Sequence, residues 1–170
     1  RRICQYLPLA LFISQIQGHT RLIFFPGKNS SPTLQDKLST MKTEDFAWFY
    51  PQGHAAHHEA GHPERPERVD AIQTAMQHMG WWDCYPKLPA RPIPEGVLHR
   101  IHSPAYLNLL EMTCRRGGHL DADTYVTPAS WQLAHQAAGG AIAIASAVWH
   151  GHARRGFALT RPPGHHACHG

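Results

Sequence analysis

The stretch from Pro128 to His150 carries the longest helical signal in the chain, and it limits what the rest can be. Thr127 stands before it and Gly151 after it. Trp131, Ala134, Ala138, Ala141, Ile142, Ala145, Val148 and Trp149 recur at helical spacing and predict a buried stripe. Gly139 and Gly140 lie inside it. Each costs roughly 1 kcal/mol in helix propensity, so the pair predicts an element packed close against the helix. The apolar part, Ala137 to Trp149, is too short to span a bilayer.

Strand signals flank this helix. Gly156-Phe157-Ala158-Leu159-Thr160 reads as a strand, and so does the aromatic run Asp45 to Tyr50, bounded by Pro51 and Gly53. Two further helices are predicted between them. Pro66 to Met79 carries a stripe of Val69, Ile72, Met76 and Met79 and stops at Gly80. Pro104 to Arg116 follows the N-cap Ser103, buries Leu107, Leu110 and Cys114, and stops at Gly117. The Pro-rich stretch 85–94 reads as a surface loop. Strand, helices, strand is the order of an α/β domain, and 170 residues suffice for one core.

The net charge of +4 hints at a nucleic-acid partner, but its distribution removes the hint. Arg1, Arg2, Arg21, Lys28 and Lys37 against Asp36 place the whole excess in residues 1–40, and the remainder is balanced. Cys4, Cys84, Cys114 and Cys168 form no C-x-x-C pair. They read as free thiols of a reducing, cytoplasmic compartment.

Residues 1–40 differ in character from the rest of the chain. Arg1-Arg2 before Leu7-Pro8-Leu9-Ala10-Leu11-Phe12-Ile13 imitates a secretory signal, but the apolar run is short and split by a proline. Met41 is the expected natural start. Residues 1–40 are then upstream sequence translated by mistake, or a non-homologous or disordered extension. The mass of the native N-terminus reads this directly.

The chemistry concentrates in Thr160 to Ala167. Two prolines fix the backbone and Gly164 permits a bend that turns His165 and His166. Such a pair either lies in solvent or serves one ligand by proton transfer near neutral pH. His58-Glu59-Ala60-Gly61-His62 spells H-E-x-x-H, but that zinc site needs a helix, and Gly61 and Pro63 oppose one. His54 and His57 read as members of a polar loop, not of a metal cage.

Four segments carry a resemblance: R-P-P-G-H-H-A at 161–167, H-P-E-R-P-E-R at 62–68, His102-Ser103-Pro104-Ala105-Tyr106-Leu107, and Asp121-Ala122-Asp123-Thr124-Tyr125-Val126. Their order and spacing resemble the N-terminal part of the histone deacetylase superfamily, near the class II enzymes, the bacterial deacetylase-like amidohydrolases and the acetylpolyamine amidohydrolases. The resemblance covers about Phe46 to Gly170. It implies the arginase/deacetylase-like α/β fold, a parallel sheet with helices on both faces, incomplete in this chain, with 41–170 as the N-terminal part of the domain.

The resemblance also implies zinc-dependent hydrolysis of an N-acetyl amide, either acetyl-lysine in a protein or an acetylpolyamine. His166 would be the general base and His165 would tune charge and hydrogen-bond the attacking water. Arg68 would line an internal cavity and hold acetate, its fork suited to a carboxylate, with Arg65 the exposed arginine. Asp123 would hold substrate at the rim, with Asp121 competing for that alignment. His102 and Tyr106 are assigned to helix packing. The family's zinc and potassium ligands follow its tandem histidines, so they are expected after Gly170, and no metal ligand set is expected in 1–170. The chain alone is then expected to be inactive, with open strand edges and uncovered apolar faces. A non-catalytic binding protein on the same fold is the alternative.

Overall fold

The computed structural model describes residues 45–164 in full and the backbone of Leu11–Ile16 and His19–Leu22. In chain order the elements are β1 (Leu11–Ile16), β2 (His19–Leu22), β3 (Phe46–Phe49), a 3-10 turn (His54–Ala56), α1 (Glu67–His78), α2 (Glu95–Leu98) and α3 (Pro104–Arg116). Then come β4 (Gly118–Asp121), β5 (Thr124–Val126), α4 (Ser130–Trp149) and β6 (Arg155–Ala158).

The main sheet has the order β2-β1-β6-β3. Its centre is the parallel pair β3 and β6, with Trp48 opposite Phe157. Such a pair needs a crossover and is stable when both faces are covered. β3 meets that condition, because all four of its residues are buried. Phe46 and Trp48 face Val69 and Met76 of α1, with Tyr85, Phe157 and Leu159. Ala47 and Phe49 face Ile144, Ala147 and Val148 of α4, with Ala158. The period-two alternation of a strand thus sends each aromatic to a chosen side. Helices cover both faces, as the α/β reading requires.

Neither parallel strand keeps the open edge expected of it. On β3, the Trp48 amide donates to the Pro86 carbonyl at 3.1 Å, and the Leu88 amide donates to the Trp48 carbonyl at 2.8 Å. The Pro-rich stretch is therefore an edge cover, not only a surface loop. On β6, the other edge is taken by β1, antiparallel, with Phe12 opposite Phe157. Both β1 and β2 lie within residues 1–40. Uncovered apolar side chains do remain, notably Leu109 and Met112 of α3 and Ile142 and Trp149 of α4.

α4 buries a different stripe from the one its spacing predicts. Leu133, Ala137, Gly140, Ile144 and Ala147 point inward, whereas Ile142 and Trp149 are exposed. The helix is apolar on nearly every side, so periodicity alone does not select a face. The two glycines do. A Cβ built on Gly140 would overlap the Phe49 ring, and one on Gly139 would overlap the Arg91 carbonyl oxygen. The Arg91 amide also donates to the Gly139 carbonyl at 3.1 Å. The close approach predicted from the glycine pair is therefore present on two sides.

α1 and α3 sit where the sequence places them. Ser103 Oγ accepts the Tyr106 amide at 3.2 Å and caps α3, while Gly117 ends it at φ 72°. His102 and Tyr106 lie ring against ring at this cap, 5.3 Å between centroids. β4 and β5 form an antiparallel hairpin that the sequence does not announce. No helix among the described residues is long and apolar enough to cross a membrane.

Candidate active site

The hub of the described polar groups lies at the C-terminal end of β6. Leu159 continues the pairing with β3, its amide donating to the Phe49 carbonyl at 3.1 Å. Two residues later Arg161 turns inward and is only 1% exposed. A buried guanidinium must be paired and hydrogen-bonded to be tolerated. Its Nε donates to Glu64 Oε1 and its Nη2 to Glu64 Oε2, both at 2.9 Å. Nη2 also donates to Tyr125 Oη at 3.1 Å, and Nη1 donates to the His54 carbonyl. This is the fork-to-fork geometry in which arginine and carboxylate bind most specifically.

Tyr125 closes the hub from the hairpin. Its hydroxyl proton has three acceptors within reach: Glu64 Oε2 and the Glu64 carbonyl, both at 3.1 Å, and the His57 carbonyl at 3.3 Å. Burial first, then the Glu64 charge, push the phenol above its ordinary value, so it remains a donor. Its ring stacks on His57 at 4.3 Å between centroids.

His57 and His54, read from the sequence as members of a polar loop, are buried in this hub. His57 Nε2 lies 3.6 Å from Glu64 Oε2 and its Nδ1 lies 2.6 Å from Ser130 Oγ. A neutral ring with its proton on Nε2 faces the carboxylate and accepts the Ser130 hydroxyl proton on Nδ1. Ser130 Oγ in turn accepts the Thr127 amide at 2.7 Å, so the start of α4 is tied to the histidine turn. Burial, reinforced by the Arg161 charge, lowers the His57 pKa to about 4. Burial also lowers His54, against the opposing pull of Asp70. The Nε2 of His54 lies 3.1 Å from the Tyr50 hydroxyl.

The depressed His57 value fixes the sign of a pH effect. The unfolded chain takes up the proton near pH 6.5, and the folded chain only near 4. The stabilisation is therefore complete above pH 6.5 and is lost as pH falls toward 4, by on the order of 3 kcal/mol. Thermal melts at stepped pH check this. His57→Phe is expected to flatten the acid limb, and an equally steep limb in that variant would contradict the assignment.

The residues singled out in the sequence fall unevenly around this hub. Arg68 is half-buried, with Nη1 3.9 Å from Glu64 Oε1, while Arg65 is exposed. Asp123 is exposed at the hairpin turn, its Oδ1 3.5 Å from His62 Nε2. Asp121 is the turn-fixing carboxylate, accepting the Asp123 amide at 2.9 Å. The segment between His58 and His62 is not helical and His58 is exposed, which agrees with setting aside H-E-x-x-H. His165 and His166 lie outside the described residues. Sequence reasoning misses Arg161, Glu64 and Tyr125 as one unit. Their letters stand inside three of the four family-like motifs, but nothing in the letters says that they meet.

Open α/β sheets bind their ligands at the carboxyl ends of their parallel strands, the end at which this sheet gathers its buried polar groups. Residues 62–170 match the Histone deacetylase domain family, and the chain belongs to that family. It is 37% identical over 109 residues to a probable deacetylase of Archaeoglobus fulgidus, covering 62% of this chain and 30% of that one. It is 36% identical over 111 residues to the human polyamine deacetylase HDAC10, covering 61% and 16%. A crystal structure of the HDA15 HD domain superposes with a TM-score of 0.66 at 32% identity, covering 74% of this chain and 38% of that one. The chain thus spans about a third or less of the length of these two relatives.

The family implies zinc. Among the described residues no three His, Cys, Asp or Glu side chains converge to hold a metal ion. Of the histidines nearest the hub, His57 has Nδ1 taken by Ser130, His54 has Nε2 facing Tyr50 and Asp70, and His62 has Nδ1 accepting the Glu64 amide. The described side chains therefore do not fit a zinc ion.

Proposed function

We propose that these residues form the part of an amidohydrolase domain that carries the general base, acting on an N-acetyl amide. The bond is acetyl-lysine in a protein or an N-acetylated polyamine. Relatives named for histones and for polyamines support both substrates. His166 takes the proton of the attacking water and His165 hydrogen-bonds that water. Arg68 binds the acetate product as a fork to a carboxylate, and Asp123 holds substrate at the rim. On this reading the zinc and potassium ligands belong to sequence beyond residue 170.

One observation carries the proposal. Arg161, the first residue of the R-P-P-G-H-H-A segment, is locked by Glu64 of the H-P-E-R-P-E-R segment, 97 positions away. Two motifs that resemble one family thus join in space.

The test uses an acetyl-lysine peptide and an N-acetylated polyamine, with zinc added. The 170-residue chain is expected to turn over neither. A chain extended to the length of its relatives is expected to hydrolyse at least one, and His166→Ala to reduce that rate about 100-fold or more. Undiminished turnover in His166→Ala would remove the base assignment. No turnover by the extended chain would leave a binding protein on this fold.

A further inference from the structure

Away from the hub, α2, α3 and the start of α4 line a groove of about 410 Å³, a volume suited to a small molecule. Leu98, Leu107 and Trp131 belong to its apolar wall. Its charged lining is acidic throughout: Glu95 and Glu111 contribute carboxylates, and no lysine or arginine is among the lining residues.

His135 adds a further acceptor to the same wall. Its Nδ1 lies 2.9 Å from the Trp131 carbonyl, which can only accept, so Nδ1 carries the proton. The neutral ring then offers Nε2 as a bare acceptor. The same ring lies 4.4 Å from the Trp131 indole, centroid to centroid, and steadies it at the groove.

The two carboxylates are held only by weak local pairs. Arg115 Nη2 donates to Glu111 Oε1 at 2.6 Å, a contact that engages one oxygen, and the Arg115 side chain is 75% exposed. Glu95 Oε1 lies 3.7 Å from His99 Nε2, with the Glu95 side chain 84% exposed. Exposed pairs of this spacing on a helix are worth little and yield to a better partner.

We propose that this groove binds a free aliphatic diamine. The alkyl chain lies on Leu98, Leu107 and Trp131, and the ammonium groups meet Glu95, Glu111 and His135. An ammonium carries three donors and no acceptor, which is the complement of this lining. The face of Trp131 attracts the same charge. An anion would meet two carboxylates and no base, and an uncharged chain would forgo both. Ser130 holds His57 in the hub while Trp131 lines the groove, so the first turn of α4 borders both places. The site stands whether or not the chain hydrolyses an amide.

The test is a titration of the 170-residue chain with 1,5-diaminopentane at about 0.15 M salt, where loose charge attraction is largely screened. Two-dimensional NMR follows the Trp131 indole N–H, identified by its absence in Trp131→Phe. A saturable shift with a Kd of about 1 mM or tighter is expected. 1,5-Pentanediol, equal in length and uncharged, is expected to leave the resonance in place. Glu111→Gln and Glu95→Gln are each expected to weaken binding about fivefold or more. Glu59→Gln, which removes an acidic group outside the groove, is expected to bind as before. A shift that does not saturate, a diol that binds as tightly as the diamine, or a Glu59→Gln loss equal to that of Glu111→Gln would overturn the proposal. Unweakened binding in Glu111→Gln would do the same. Where that variant does not fold, the comparison of diamine with diol on the unmodified chain still decides.

Discussion

Arg161→Ala is expected to lower the unfolding free energy by about 3–5 kcal/mol, the penalty for leaving a buried carboxylate without its counter-charge. Against a total of roughly 5–15 kcal/mol for a domain, that loss removes a fifth or more of the stability. The cost arises less from the lost attraction than from what remains. Glu64, 13% exposed, would be left with Tyr125 and the more distant His57 and Arg68 around its carboxylate. The paired variant Arg161→Met with Glu64→Met removes both charges and is expected to lose clearly less than the single change. Urea denaturation of the two variants measures the difference. If Arg161→Ala costs under about 1 kcal/mol, the fork is not a stabilising anchor.

Gly139→Ala is expected to destabilise by about 2–3 kcal/mol, opposite in sign to the usual effect of this change within a helix. On an open helical face the added methyl gains about 1 kcal/mol in propensity. Here the Cβ would overlap the Arg91 carbonyl oxygen, and backbone cannot swing aside as a side-chain tip does. Overpacking of this kind costs roughly 1–3 kcal/mol, occasionally more. Displacing the loop also breaks the Arg91 amide bond to Gly139, worth about 1 kcal/mol. The loop that moves is the one that covers the edge of β3, so the strand loses its cover as well. A urea midpoint lowered by about 1 M is the expected reading. A raised midpoint would mean that the loop does not dock on the helix.

Much of the scaffold is legible in the sequence, for identifiable reasons. Glycines and prolines mark the ends of α1 and α3, and Ser103 marks a cap, because each acts locally. β3 is legible as a strand through its aromatic run, though four successive buried residues conceal which side each takes. The hairpin of β4 and β5 is not legible. Its strands have four and three residues, and β4 is mostly exposed, so no alternation marks them. The inward face of α4 differs from its predicted stripe because an all-round apolar helix carries no directional signal. Its glycines announce a close contact without saying which face makes it.

The site divides in the same way. Arg68, Asp123 and the tandem histidines are named through family resemblance, which works motif by motif. The pairing of Arg161 with Glu64 across 97 positions is a property of the folded chain. His54 and His57 read in sequence only as members of a polar loop, whereas in space they are buried against Tyr50, Tyr125 and Ser130.

The register of the central strand pair has a consequence for biosynthesis. Phe46 pairs beside Arg155, more than a hundred residues later. At roughly 5–20 residues per second a ribosome needs about 5–20 seconds to cover that interval. Throughout it, Phe46, Trp48 and Phe49 have no β6 to lie against, and the nascent polypeptide presents them to whatever else is in the cell.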